Sequence, residues 1–319
     1  MKPGPEIELL GDSLANSDGL RLLTRCDASL YGLTINGFAG AGLLIGGAAS
    51  DCNHDGDLGA LREVRNNSIG GNGRGIVISM TPVNRFFWRD TVIEDNIISG
   101  NRFTGIFVDR GDALVIEKNK ILENGRSGIY LGTVNFSHVY DNVIDGNAEF
   151  GIAMERQAHV YMAGNSIANN GLTAIDVGLD LVTSNVADDS GRAPNAPVLV
   201  SAKFDPVTGK TIVRGRADSS RLGSGGAFPQ WFVSLYASDS LNPRGLPQSE
   251  RPLSFGAAIM DGHADFEVAI ADDLSGKFIT ATLTRSVYIG FAKPVGELSH
   301  DDFYQAETSE LSNAVSVDR

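Results

Sequence analysis

An asparagine returns through the middle of this chain every 23 residues. Asn96, Asn119, Asn142 and Asn165 sit in DNIISGNRFTGIFV, KNKILENGRSGIYL, DNVIDGNAEFGIAM and GNSIANNGLTAIDV. A fifth copy, NNSIGGNGRGIVI, carries Asn67, 29 residues before Asn96. A second asparagine follows five residues after each: Asn72, Asn101, Asn124, Asn147 and Asn170. A period of this length means stacked supersecondary units, none of which buries its apolar face alone.

The unit is too short for a helical pair, and its apolar residues alternate. Three residues before the asparagine stand Val64, Ile93, Ile116, Val139 and Met162; two after it stand Ile69, Ile98, Ile121, Ile144 and Ile167. Gly-Ile then recurs at Gly75, Gly105, Gly128 and Gly151, ending as Ala174-Ile175. Ile78, Val108, Leu131, Met154 and Val177 close each unit. Positions two apart on a strand share a face. These rows therefore predict apolar ladders inside an all-β tube, a parallel β-helix with three short strands per coil. The asparagines are expected at sharp turns, where Asn tolerates left-handed backbone and stacked amides bond coil to coil. The glycines before the Ile row are expected to supply other bends.

Gly19–Leu23, Gly32–Ile35 and Gly42–Ile45 read as earlier, degenerate coils. With them the chain resembles the right-handed β-helix repeat family, whose fold is that of pectate lyases. PEIELLGDS, GLTINGFAGAGLLI and NAPVL resemble secreted bacterial β-helix proteins that carry a sandwich domain behind the helix. The resemblance implies a β-helix over residues 5–180, a linker or cap over 181–197 and a β-sandwich over 198–319. It implies little about activity, since such folds host lyases, hydrolases, epimerases, adhesins and stalks.

Behind the repeat, separated strands are expected at Val198–Lys203, Lys210–Arg216, Gln230–Ala237, Phe255–Met260, Ala264–Ile270, Lys277–Arg285 and Glu310–Val317. Seven strands divided by turn signals suggest an antiparallel sandwich of immunoglobulin or fibronectin type. FITATLT and SELSNAVSV look like its closing strands, with a long insertion between them.

The net charge of −13 and pI near 4.8 argue against nucleic acid and anionic membranes as partners. No apolar run approaches the length of a membrane span. No signal-type segment precedes Glu6–Leu10, and a natural start further upstream is expected. Cys26 and Cys52 lie about one repeat apart, as neighbours on adjacent coils would, and a bridge between them would imply an oxidising compartment.

Three places are candidates for chemistry. Asp51, Asn53, Asp55 and Asp57, with Gly56, space oxygen ligands as a calcium (Ca2+) loop does, although Arg62 stands where a bidentate acid belongs. An acidic surface turn is the plainer reading. The long interval before Asn96 holds SMTPVNRFFWRD, where Arg85, Phe87 and Trp88 suit sugar stacking and carboxylate binding; a flap folded onto the coil is its plainer reading. Register then places Asp109, Arg110, Tyr130, Glu155 and Arg156 along one edge, with Phe107 before them. A uronate lyase needs a base and a positive clamp, for which Tyr or Arg qualify. A hydrolase needs two carboxylates, and Asp109 and Glu155, about 10 Å apart by two strand spacings, slightly exceed the usual separation. Surface ion pairs within Asp109-Arg110 and Glu155-Arg156 are the simpler alternative. An outward row, Arg65, Glu94, Glu117 and Tyr140, reads as a solvated face.

These readings converge on a secreted or cell-surface protein that binds an acidic polysaccharide or surface glycan along the coils. They leave open whether it cleaves the chain as a polysaccharide lyase or glycoside hydrolase. The alternative is a non-enzymatic adhesin or spacer.

Overall fold

The computed structural model describes residues 7–12, 17–23, 28–47, 62–80, 91–181, 184–186, 193–219, 230–259, 264–289 and 303–319. The expected calcium loop, residues 81–90 of the expected 79–90 insertion (with Arg85, Phe87 and Trp88) and both cysteines lie outside these residues.

Three parallel sheets run along the repeat. Sheet I stacks Ile7–Leu10, Leu33–Asn36, Ser68–Gly70, Ile97–Ser99, Lys120–Leu122, Val143–Asp145 and Ser166–Ala168. Sheet II stacks Leu20–Leu22, Ala41–Gly47, Arg74–Met80, Ile106–Asp112, Ile129–Asn135, Ile152–Met154 and Ile175–Val177. Sheet III stacks Ala28–Tyr31, Arg62–Arg65, Thr91–Glu94, Leu114–Glu117, Ser137–Tyr140 and Val160–Ala163. Each repeat row pairs with itself one coil on, as in Ile98 with Ile121 and Ile129 with Ile152. The four apolar rows of the sequence are the interior.

The asparagines form two amide ladders. Asn96 Nδ2 donates to Asn119 Oδ1 at 3.0 Å, Asn119 to Asn142 at 3.0 Å and Asn142 to Asn165 at 2.9 Å. Asn72, Asn101, Asn124, Asn147 and Asn170 do the same in the second ladder. The left-handed backbone falls on the residue before each asparagine rather than on the asparagine itself. Asn66, Asp95, Lys118, Asp141 and Gly164 carry positive φ in the first row, and Gly71, Gly100, Glu123, Gly146 and Asn169 in the second. The amide is therefore selected for its paired donor and acceptor, and the bend is left to its neighbour. Likewise the glycines before the Ile row do not have positive φ. They provide room: a Cβ on Gly105 would lie 2.8 Å from Gly128 O and 2.8 Å from Ile121 Cγ2.

Sheet III departs from the expected solvated face. Val92, Val115, Tyr140 and Tyr161 are buried there, and so are Glu94 and Glu117. The outward row two positions before that of Glu94 and Glu117 reads Glu63, Val92, Val115, His138 and Tyr161, and its apolar and aromatic members favour a covered face. The acids are paired, Glu94 with Arg65 and, at 2.8 Å, with Lys118; Glu117 lies 3.2 Å from Lys118.

The C-terminal unit is a curled, mostly antiparallel eight-stranded sheet around Trp231, Val233, Leu235, Leu283 and Val213. Its order is Arg251–Ile259, Gln230–Ser238, Phe278–Ile289, Val315–Asp318, Val198–Asp205, Lys210–Arg216 and Asp265–Ile270, with Phe303–Thr308 also paired to Phe278–Ile289. The strand expected from Glu310 starts only at Val315. Ser309 and Ser312 hydroxyls take the backbone N–H groups of Leu283 and Ala281, each at 2.9 Å. These hydroxyls interleave with backbone bonds from Ser309 N–H to Leu283 O and from Ser312 N–H to Ala281 O, an irregular pairing that delays a strand that alternation alone would start earlier.

This unit covers the open end of the coil stack. Ile167 and Ser249 exchange backbone bonds at 2.9 and 3.0 Å, Met162 N–H donates to Thr308 Oγ1 at 2.9 Å, and Val177 N–H donates to Glu310 Oε1 at 2.8 Å. The last strand of each sheet is thus met, which removes an edge that would template further pairing. Leu311 and Tyr236 join the coil core, while Trp231, Leu235 and Leu283 belong to a separate one.

One contact makes this junction sensitive to pH. His159 Nδ1 pairs with the Glu307 carboxylate, which also pairs with buried Arg285. The Glu307 hydrogen bond pushes the His159 imidazole up, against burial. Burial pushes Glu307 up, but the bonds and charges of His159 and Arg285 outweigh it and hold the carboxyl low. A raised histidine contributes stability that is complete below its unfolded value and is lost as pH rises through its folded one. The lowered carboxylate contributes above its unfolded value and is lost as pH falls through its folded one. Melting temperature should therefore fall as pH rises through and above the ordinary histidine range, and His159→Gln should flatten that decline. Equal slopes in both proteins would remove the pair from the junction's energetics.

Candidate functional site

Among the described residues, the outer face of sheet II carries a partly exposed aromatic ledge. Strand alternation puts Ile106 and Val108 inside and Phe107 outside; one coil on, Ile129 and Leu131 are inside and Tyr130 outside. Register sets Phe107 directly against Tyr130. Their rings stack with centroids 4.9 Å apart and planes 7° from parallel. Arg74, from the coil before, lies over Phe107 with Cζ 4.6 Å from the ring centroid.

Tyr130 donates its hydroxyl to Glu155 Oε1 at 2.9 Å. Burial, that bond, and the charges of Glu155 and Asp109 push the phenol up to about 12. It keeps its proton at neutral pH and is ill suited as a base. Asp109 and Arg110 pair with each other at 3.3 Å, both about half exposed, and Asp109 also accepts from Ser79 Oγ at 3.2 Å. The expected edge is thus assembled for Phe107, Asp109, Arg110, Tyr130 and Glu155. Arg156 turns away and pairs with Asp180 at 2.6 Å.

Further along the same row the ledge closes. Ala153 and Asp176 follow Tyr130 in register and are buried. Asp176 accepts from the N–H groups of Leu179, Asp180 and Leu181 at 2.8, 3.3 and 2.8 Å, and burial pushes its carboxyl up. It shapes the exit of the chain from the last coil. Among the described residues, Asp176, Asp180 and Glu310 are the one acidic trio with ligand atoms within 4.8 Å of one another. All three are committed inside the protein, to backbone N–H groups, to Arg156 and to Val177 N–H. The neighbouring cavity, beside Arg156, Val177 and Asn195, has about 40 Å³ of free space. That holds a water or two and no sugar ring.

Sequence reasoning missed a second cluster beside the ledge, Phe103 with Arg74, Arg102 and Arg126. The signal was present. Arg74, Arg102 and Arg126 follow the second-row asparagines Asn72, Asn101 and Asn124 by one or two residues, in the fragments NGRG, NRFTG and NGRSG.

No curated protein matches the sequence. The family described as right handed beta helix region matches residues 18–187, more than half of the chain. That fold is consistent with carbohydrate-associated proteins. With this match and three parallel sheets in one-coil register, the chain belongs to the right-handed β-helix family.

Proposed function

We infer that this protein binds a polysaccharide along the outer face of sheet II and holds it without cutting it. The observation that carries this reading is the Phe107–Tyr130 ledge. Two coplanar rings from successive coils make a flat, partly exposed apolar surface of the kind that sugar faces cover. Polar groups border it: Glu155 at the Tyr130 hydroxyl, and Asp109 with Arg110 at the strand end. Sugar hydroxyls have acceptors and donors to meet there.

Binding is favoured over cleavage because the reactive groups are occupied. The phenol is held protonated, Arg110 is tied to Asp109, and Arg156 is tied to Asp180. A lyase needs an unprotonated base at one carbon beside its positive clamp, and the tyrosine at this edge keeps its proton. A cell-surface or secreted location goes with such a partner.

Wild-type protein and a Phe107→Ala/Tyr130→Ala variant should be compared against a panel of neutral and acidic polysaccharides by affinity electrophoresis. Stacked aromatic contacts of this size are worth about 1 kcal/mol or more, so affinity should fall about tenfold with melting little changed. No new reducing ends should form. Wild-type protein that binds nothing in the panel, or a variant that binds equally well, would leave a structural spacer as the better description.

A further inference from the structure

We propose that Arg74, Arg102 and Arg126 form an anion cradle around Phe103, which takes the carboxylate or sulfate groups of an acidic glycan lying on the aromatic ledge. The proposal rests on the ledge reading and names the chemical class of its ligand.

The Arg74, Arg102 and Arg126 Cζ atoms lie 5.8, 5.3 and 5.7 Å from the centroid of the Phe103 ring. Arg74 also lies 4.6 Å from the Phe107 centroid, so it joins the cradle to the ledge. The coil stack brings the residues together. Phe103 N–H bonds Gly73 O at 2.8 Å, and Arg126 N–H bonds Phe103 O at 3.2 Å, which sets Arg74 and Arg126 on either side of the ring along the axis. All three arginines are exposed.

Two observations point to a ligand. First, none of the three makes an ion pair among the described residues, although the chain carries a net charge of −13. Elsewhere Arg65, Arg110, Arg156, Arg214 and Arg251 each hold a carboxylate. In so acidic a protein, three adjacent guanidiniums without acids stand out as a local positive field. Second, a guanidinium lying over an aromatic ring keeps its edge available. That edge is the fork that fits a carboxylate or sulfate two-pronged.

The three side chains come from three successive coils, roughly 10 Å of axis by strand spacing, which favours a polymer with repeated anionic groups over a single acidic sugar. A nucleic acid is disfavoured, because a broad polyanion would also meet Asp109, Glu155 and the acidic remainder of the surface.

The test uses one polymer backbone in three charge states: unmodified dextran, carboxymethyl dextran and dextran sulfate, with duplex DNA as a fourth probe. Wild-type protein should bind the charged dextrans, more weakly as salt shortens the screening length, and should not bind the unmodified one. Binding of either charged form supports the cradle, and the stronger one names the anionic group. Each exposed charge pair contributes a factor of a few, so Arg74→Ala/Arg102→Ala/Arg126→Ala should weaken binding about thirtyfold. The corresponding triple Lys variant should restore part of it, because charge remains without the fork. The cradle is overturned if the triple Ala variant binds like wild type, if unmodified dextran binds as well as the charged forms, or if DNA binds more tightly than either. The Phe107→Ala/Tyr130→Ala variant separates the two ideas. A loss there with none in the triple Ala variant sinks the cradle and keeps the ledge; the reverse sinks the ledge.

Discussion

Asn119→Ala is expected to destabilise the coil stack by about 4 kcal/mol, because it orphans several buried groups at about 1–3 kcal/mol each. Asn119 is fully buried. Its Oδ1 accepts the Asn96 backbone N–H and the Asn96 amide, each at 3.0 Å. Its Nδ2 donates to Ile93 O at 2.8 Å, Glu117 O at 2.9 Å and Asn142 Oδ1 at 3.0 Å. Alanine removes both halves at once, from the middle of a stack whose units are held by their neighbours. Asn119→Asp separates them. It keeps the acceptor for Asn96 and turns its other oxygen toward three acceptors. It should therefore be as damaging at neutral pH, and its stability should recover as acid protonates the buried carboxyl and restores one donor. Urea unfolding of both variants at two pH values reads this directly. A cost below about 1 kcal/mol for Asn119→Ala would mean that the ladder is ornament on a stack held by its apolar rows.

The fold was legible because its period is short and its rows are strict. A 23-residue repeat with apolar residues at four fixed offsets leaves one economical arrangement, and every such row is interior. What the repeat could not supply was why each polar residue was chosen. Asparagine was credited with the bend, yet Lys118 and Glu123 accept left-handed backbone while Asn119 and Asn124 hold the amides. Composition preferences describe which residues tolerate a bend; they do not say which of two neighbours takes it. The C-terminal unit lacks a period, so its boundaries depended on alternation. That failed at Ser309–Asn313, where hydroxyls and an amide share the backbone bonding.

The site was half legible for the same reason. Register alone brought Phe107 and Tyr130 together, since side chains in equivalent positions of adjacent coils must touch. The destination of a long side chain at the end of the stack is not fixed by register. Arg156 reaches a turn that follows the repeat, and its partner Asp180 has no counterpart in earlier coils. The arginines around Phe103 lie within the regular period, at exposed positions where no break in spacing marks them.

The second large effect is expected at Gly128. A methyl there would sit 2.6 Å from Ile144 Cγ2, 2.8 Å from Gly151 O and 3.0 Å from Asn147 Nδ2. Its φ is not positive, so space and not backbone conformation demands glycine. Two of these neighbours cannot yield independently. Gly151 O receives the Ile129 N–H at 2.9 Å, and Asn147 is a rung of the second ladder. Relief would have to come from separating two coils, which strains both. Gly128→Ala should cost about 3 kcal/mol, the upper end for an added methyl in a packed interior. The row supplies its own control. Gly42, Gly75, Gly105, Gly128 and Gly151 each face an Ile Cγ2 of the next coil within 2.8 Å, whereas the last position is Ala174, after which no coil follows. Ala174→Gly removes one buried methyl and adds backbone freedom, and should cost about 1 kcal/mol. If thermal melting shows Gly128→Ala to be no worse than Ala174→Gly, close coil-to-coil approach is not what keeps this row glycine.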